Sequence, residues 1–359
     1  MSRYKRSLSW ALKQGINHIA QGVSHRFDVS LCRPSKVIFC LTLRCNLKCK
    51  MCGIWRTEKV RELTLDQWKE VIVKLKKWLG PFRIQIAGGE IFIREDIFDL
   101  IRFASENGVL AGIVTNGTML DRDRVERLID AGLGYFDVSL DGVKPETHDY
   151  IRGYRGVHEK ALSTIRITNE LRKKKNSNMV MYVPAIICGH NMDELVDLVE
   201  FVEREGLDAV MFNPLGPACD SDTSWWERSD LWPRPNKLEK LGRIIDNLIA
   251  MKKGGAKIIN SVDQLNEMKS YFNDPSLMRG GCCTVGVTNF LLSADGNIHF
   301  CFKMPPIGRH VDDFPKMWAG QRAREVRRQI KGCSYECTPG NLPYRRSLLK
   351  EMQRYLTFK

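Results

Sequence analysis

Short apolar runs and amphipathic stretches alternate along the middle of the chain. Residues 36–43, KVIFCLTL, are apolar and β-branched or aromatic at most positions, the pattern of a buried strand. Residues 64–80 place Trp68, Val71, Ile72, Leu75 and Trp78 at helical spacing. The alternation continues with strands expected at 82–90, 109–117, 134–142, 179–188 and 208–216. Helices are expected between them at 94–108, 121–132, 157–173 and 192–206. Gly108 stops the first of these four helices. Six strands separated by helices predict an α/β fold with a parallel sheet and right-handed crossovers.

The alternation stops near residue 216. Residues 217–236 are polar, aromatic and proline-containing, and read as a loop over the carboxyl ends of the strands. Residues 237–255 form an amphipathic helix, and 279–341 are rich in cysteine and glycine, a second small module. In parallel folds the chemistry sits at the carboxyl ends of the strands. Several polar motifs fall there: the loop after 43, Gly88-Gly89-Glu90, Thr115-Asn116-Gly117 and Ser139-Leu140-Asp141-Gly142.

The 359 residues allow a large domain of roughly 200 residues and a smaller one. No apolar run reaches the roughly 20 residues of a membrane helix. Lys13, Gln14 and Asn17 interrupt the start of the chain, so no signal peptide is expected and the default compartment is the cytoplasm. Thiols there stay reduced, and clustered cysteines point to metal or redox chemistry. The net charge of +14 is uneven: residues 1–60 carry twelve Lys/Arg against Asp28 and Glu58. A second basic stretch runs from Arg322 to Lys359. Such surfaces attract anionic partners or simply face solvent. No nucleic-acid-binding motif accompanies them, and nucleic acid is not expected as a partner.

Cys45, Cys49 and Cys52 follow the spacing C-x3-C-x2-C within CNLKCKMC. A closed zinc site needs a fourth ligand, for which Cys40 is the nearby choice. A [4Fe–4S] cluster held by three thiolates instead leaves one iron open to a chelating small molecule. On CNLKCKMC, the GGE after the second strand and the six β-α units, residues of about 36 to 216 resemble the radical S-adenosylmethionine (SAM) superfamily. The resemblance implies a partial (β/α)6 barrel. It also implies that SAM chelates the open iron and is cleaved reductively to a 5′-deoxyadenosyl radical, which abstracts a substrate hydrogen atom. By position it makes Gly88, Gly89, Glu90, Asn116, Ser139 and Arg152 candidates for binding SAM, with Arg155 a rival to Arg152. The family often has an aromatic residue before the third cysteine. Here Met51 stands there, a departure at the adenine pocket.

Cys283, Cys301, Cys333 and Cys337 form a second candidate site, the first two at the ends of a hairpin that turns at Asp295-Gly296. Four thiolates suit a second [4Fe–4S] cluster or a structural zinc ribbon. The tail is similar to the auxiliary-cluster extensions of the SPASM and twitch subgroups, in Cys283-x-x-Gly286, Gly296-x4-Cys301 and the Cys333/Cys337 pair. Cys282 is an alternative to Cys283. The domains expected are a basic helical extension (1–35), a partial barrel (36–216), a linker loop and helix over the site (217–278) and the cysteine-rich module (279–359). Cys188 and Cys219 are candidate hydrogen-atom donors, as in some epimerases of the family, or inert thiols.

The expected function is hydrogen abstraction from an unactivated C–H bond, with an auxiliary cluster binding substrate or accepting an electron. An external donor such as flavodoxin or ferredoxin would reduce the first cluster. About 35 residues precede the first strand, too few for a peptide-recognition domain. This favours a small-molecule substrate, sugar or lipid-linked, over the alternative of a peptide maturase. A non-catalytic zinc or iron–sulfur regulator is the alternative from another class. Residues 3–27 suit a helix with Tyr4, Leu8, Ala11, Leu12, Ile16, Ile19, Val23 and Phe27 on one side, and Arg3, Arg6, Lys13 and Arg26 on the other. Its apolar side is expected to pack on the barrel, with contact to an anionic membrane as the alternative.

Overall fold

The computed structural model describes residues 8–27, 30–218, 221, 223–278 and 283–338; in the first helix, side chains are described for Ile16, Asn17, Ile19–His25 and Phe27. Six β-α units follow that helix. The strands are β1 (Lys36–Thr42), β2 (Arg83–Gly88), β3 (Leu110–Thr115), β4 (Tyr135–Val138), β5 (Val180–Ile187) and β6 (Ala209–Pro214). All pair in parallel, each with its sequence neighbour. With no reversal of strand order, every right-handed crossover falls on the same side of the sheet, so the sheet curls into a partial (β/α)6 barrel.

The helices are α1 (Leu8–Phe27), α2 (Leu65–Leu79), α3 (Ile97–Glu106), α4 (Arg122–Asp130), α5 (Pro145–Arg152), α6 (Val157–Lys174), α7 (Leu195–Arg204), α8 (Leu238–Lys253) and α9 (Val262–Asn273). Local chemistry sets their ends. Thr64 and Gln67 form a reciprocal capping box at the start of α2, and its apolar stripe, Trp68, Val71, Ile72 and Leu75, is buried. The Asp121 carboxylate accepts the Arg124 N–H at the start of α4.

The cysteine-rich tail extends the barrel sheet. β7 (Asn289–Leu292) pairs in parallel with β1, and β8 (Asn297–His299) and β9 (Gly308–Arg309) continue antiparallel, giving the order β6-β5-β4-β3-β2-β1-β7-β8-β9. Two helices close the described chain, α10 (Phe314–Ala319) and α11 (Gln321–Lys331). Trp78 of α2 stacks on Phe290 and Phe314 and meets the edge of Trp318, so aromatic rings weld the tail to the barrel.

The structure differs from expectation in three ways. α5 and α9 fall in stretches for which no element was expected. The stretch 217–236 contains short 3-10 turns, and its aromatics are anchors: Trp225 is buried and Trp232 packs on Tyr271 and Phe272 of α9. The third difference is the facing of α1. Its Asn17, Gln21 and Ser24 meet the protein, whereas Ile16, Ile19, Val23 and Phe27 face outward. Side-chain hydrogen bonds with the Leu31–Arg33 backbone orient the helix, and the apolar stripe finds no groove among the described residues.

Candidate active site

The cysteine loop leaves β1 and is gripped from two sides by backbone. From one side comes the end of β2. Gly89 N–H donates to the Thr42 carbonyl (2.8 Å) and Glu90 N–H to the Arg44 carbonyl (2.9 Å). A Cβ on Gly89 would stand 2.0 Å from the Arg44 carbonyl oxygen, and one on Gly88, at φ +133°, 2.4 Å from that of Thr42. Only glycines admit this approach. Their partner is thus the chain entering the cysteine loop. From the other side comes α5. Lys50 N–H donates to the Ile151 carbonyl (3.0 Å), and Gly153, left-handed at φ +72°, lets the helix end within contact of the Lys48 carbonyl.

The loop's three thiols sit close enough for their charges to oppose one another. Burial, with neighbouring Cys49, Glu90 and Cys52, pushes the Cys45 thiol up to about 11. Burial raises Cys49 as well, against the pull of the Arg152 guanidinium beside it. Three thiols crowded in a half-buried loop are strained as anions and suited to a cationic cluster that neutralises them. Cys40 is buried on β1 with its Sγ next to Gly88. Cys188 follows β5, is completely buried in the core, and burial pushes its thiol up to about 12. As placed, that thiol packs against protein in the core. Cys219, Cys282 and the segment 339–359 lie outside the described residues.

The other candidates gather around the loop. Glu90 is buried, and its carboxylate accepts from Thr115 Oγ1 (2.8 Å), Asn116 N–H (2.9 Å) and Phe92 N–H (3.3 Å). Asn116 Nδ2–H donates to Asn46 Oδ1 (2.9 Å), which ties the end of β3 into the cysteine loop. Ser139 is buried just past β4, its N–H bonded to the Thr115 carbonyl. Arg152 Nε–H donates to Asp141 Oδ2 at 2.6 Å, and Asp141 Oδ1 accepts the Ile186 N–H at 2.9 Å. Burial opposes the guanidinium charge, but Asp141 and Cys49 overcome it and keep Arg152 protonated. Arg155 is exposed. Asp141 and Asn46 escaped the sequence reading as functional residues. Asp141 carried a signal, an acid at a strand end eleven residues before the arginine; Asn46 carried none, because its partner is 70 residues away.

The second cysteine group also converges. Burial comes first among the causes that push the Cys337 thiol up to about 12, followed by the nearby Cys301, Cys333 and Cys283. A cavity of about 390 Å³ opens beside the first cysteine loop. Lys50, Met51 and Arg56 line it from the cysteine loop, and Leu215, Gly216, Trp225 and Arg228 from beyond β6. Trp225 Nε1–H donates to the Glu336 carbonyl (3.3 Å), next to Cys337, so the same indole borders both the cavity and the second group. Among the described residues no three Cys, His or acidic side chains close on a point as they would around a single metal ion.

A family model described as the radical SAM superfamily matches residues 39–202, which span the cysteine loop, part of β1 and all of β2 to β5. Residues 39–202 of the chain form a radical SAM domain. Members of the superfamily use SAM and a [4Fe–4S] cluster, and three thiols on one gripped loop fit that group. The chain is 28% identical over 230 residues to the PqqA peptide cyclase of Bradyrhizobium diazoefficiens, covering 63% of this chain and 57% of that protein. It is 36% identical over 171 residues to the Fe-coproporphyrin III synthase of Methanosarcina barkeri, covering 45% and 42%. The chain thus spans about half the length of the curated relatives it matches. A solved structure of Streptococcus suis SuiB bound to S-adenosylmethionine has a similar fold, with TM-score 0.66 at 16% identity over 92% of this chain and 75% of that one. That likeness in fold takes in the tail as well, since it covers 92% of this chain.

Proposed function

We propose that the chain is a peptide-modifying radical SAM enzyme acting by hydrogen abstraction from an unactivated C–H bond, with Cys283, Cys301, Cys333 and Cys337 holding an auxiliary cluster. The observation that carries this reading is the cavity beside the cysteine loop whose lining residue Trp225 also bonds the chain next to Cys337, because a substrate there lies near the radical source and, across one indole, near an electron acceptor. Bound SAM and the two clusters supply the radical and the electron transfer. The chain's own residues hold, orient and shield. Cys45, Cys49 and Cys52 ligate the first cluster. The Asp141–Arg152 pair fixes the guanidinium beside Cys49. Glu90, already anchored by three donors, offers its remaining lone pairs to an ammonium.

A peptide is favoured over the small molecule expected from the short N-terminal region. Peptide cyclases recur among the relatives, in Bradyrhizobium diazoefficiens over 230 residues and in Rhodopseudomonas palustris over 169, and the fold is shared with SuiB, solved bound to the precursor peptide SuiA. Lys50, Arg56 and Arg228 are among the described residues lining the cavity, and such cations suit a substrate bearing acidic groups. Small acidic proteins of the flavodoxin or ferredoxin type match the basic surface as reductants.

The test is anaerobic. Reconstituted protein should hold about eight irons and cleave SAM to 5′-deoxyadenosine and methionine under reductant. Cys45, Cys49 and Cys52 changed together to alanine should abolish cleavage while the second group keeps its iron. Survival of cleavage in that variant removes the ligand assignment. Formation of 5′-deoxyadenosine is then compared with a pool of acidic synthetic peptides and with a tetrapyrrole carboxylate. Stimulation by peptides, with a mass change in one of them, supports the reading; stimulation by the tetrapyrrole alone overturns it.

A further inference from the structure

Helix α1 is inverted relative to an ordinary surface helix, which buries its apolar stripe and exposes its polar face. Ile16, Ile19, Val23 and Phe27 are 66, 54, 36 and 68% exposed, and Leu31 just beyond is 66% exposed. Their spacing, three and then four and four, makes one continuous stripe. In the sequence the same spacing continues back through Leu12 to Leu8. The polar side meets the protein instead. Asn17 and Gln21 bond the Arg33 backbone, Ser24 Oγ accepts the Leu31 N–H (3.1 Å), and His25 Nε2 lies 3.2 Å from the Cys283 carbonyl. The helix is therefore held with its apolar stripe facing out, and a contiguous apolar surface of this kind marks a contact with something else.

Charge identifies the occupant. Residues 1–27 contain Arg3, Lys5, Arg6, Lys13 and Arg26 and no Asp or Glu. Helix α11, which borders a crevice with Ser24 and His25 of α1, carries exposed Arg322, Arg324 and Arg328. The chain's own segment 339–359 has five Lys/Arg against Glu351 alone, and a second copy would bring the same basic face; both are repelled. The surface that is both apolar and negatively charged, and flat enough to meet a convex stripe, is the headgroup–acyl boundary of a bilayer. No described helix is long and apolar enough to cross a membrane, so α1 would lie along the surface.

We propose that α1 docks the enzyme on an anionic lipid bilayer through Ile16, Ile19, Val23 and Phe27, the acidic lipid being favoured by the net positive charge of residues 1–27. This is independent of the reaction the cavity performs.

The full chain is sedimented with vesicles of phosphatidylcholine, with and without phosphatidylglycerol. Binding is expected only with phosphatidylglycerol and should weaken as salt rises. The variant Ile16→Ser/Ile19→Ser/Phe27→Ser should bind at least about tenfold more weakly with an unchanged thermal midpoint, because these side chains face outward. The proposal falls if the chain binds no vesicles, or if the variant binds as well as the parent. Equal binding to both lipid mixtures removes the anionic partner. If instead the parent self-associates in sedimentation velocity without vesicles and the variant does not, a second copy covers the stripe and the proposal is wrong.

Discussion

At the scale of single residues, the site is built by atoms that fit only one way. Gly89 is the clearest. Its missing Cβ leaves room for the Arg44 carbonyl, and Gly89→Ala would place a methyl 2.0 Å from that oxygen. The expected cost is about 2–4 kcal/mol, seen as a lower thermal midpoint and loss of the first cluster's iron. Gly80→Ala is the control: at φ 76° it strains the backbone but meets nothing within 4 Å, so about 1–3 kcal/mol and no iron loss are expected. His148 gives a pH prediction. Asp141 N–H donates to its Nδ1, and burial lowers its pKa from 6.5 to about 3. The unfolded chain therefore protonates before the folded one, and stability drains as pH falls from 6.5 toward 3. Asp137 runs oppositely, since burial raises it from 3.8 to about 7 and its contribution is lost as pH rises across that span. The two partly cancel, so the parent profile is flat. Against His148→Asn, the parent should lose up to about 1.4 kcal/mol per pH unit below 6.5, read from urea midpoints at several pH values.

At the scale of elements, caps and contacts outrank apolar periodicity. α9 escaped the reading because its apolar stripe, Leu265, Met268, Tyr271 and Phe272, lies among many polar residues. Its start carried a signal all the same: Ser261 and Gln264 form a capping box. Ser261→Ala should destabilise the protein by about 1 kcal/mol, measured by urea unfolding. The loss matters beyond the helix, because Tyr271 Oη–H donates to the Leu215 carbonyl and Leu215 lines the cavity. α1 is the opposite case. Its periodicity was plain, yet periodicity says only that one face is apolar. Which face meets the protein was decided by Asn17, Gln21 and Ser24 and by the backbone at Leu31–Arg33.

At the scale of the whole molecule, one sheet carries both cysteine groups. The pairing of β7 with β1 sets the tail beside the strand that feeds the first cysteine loop, and Trp78, Phe290, Phe314 and Trp318 lock that arrangement. Changing Cys283, Cys301, Cys333 and Cys337 together to serine should remove about four of eight irons and leave reductive SAM cleavage in place. Product formation on a substrate should be lost, because the electron left after hydrogen abstraction has no acceptor. Iron analysis and chromatography of 5′-deoxyadenosine separate these effects.

The sequence by itself determined the β-α alternation, the three-cysteine loop, the second group of four and the Gly-Gly-Glu turn. Each is a local pattern, fixed by spacing along a few residues, and local spacing survives into the fold. Tertiary structure alone decided what those patterns touch. Gly88 and Gly89 meet the chain at Thr42–Arg44, Arg152 pairs with Asp141, Asn116 reaches Asn46, and β7 joins β1 across some 250 residues of chain. The burial of Cys188 and the outward stripe of α1 belong to the same class. Such contacts depend on where distant segments come to rest, and no periodicity within a segment encodes its neighbour.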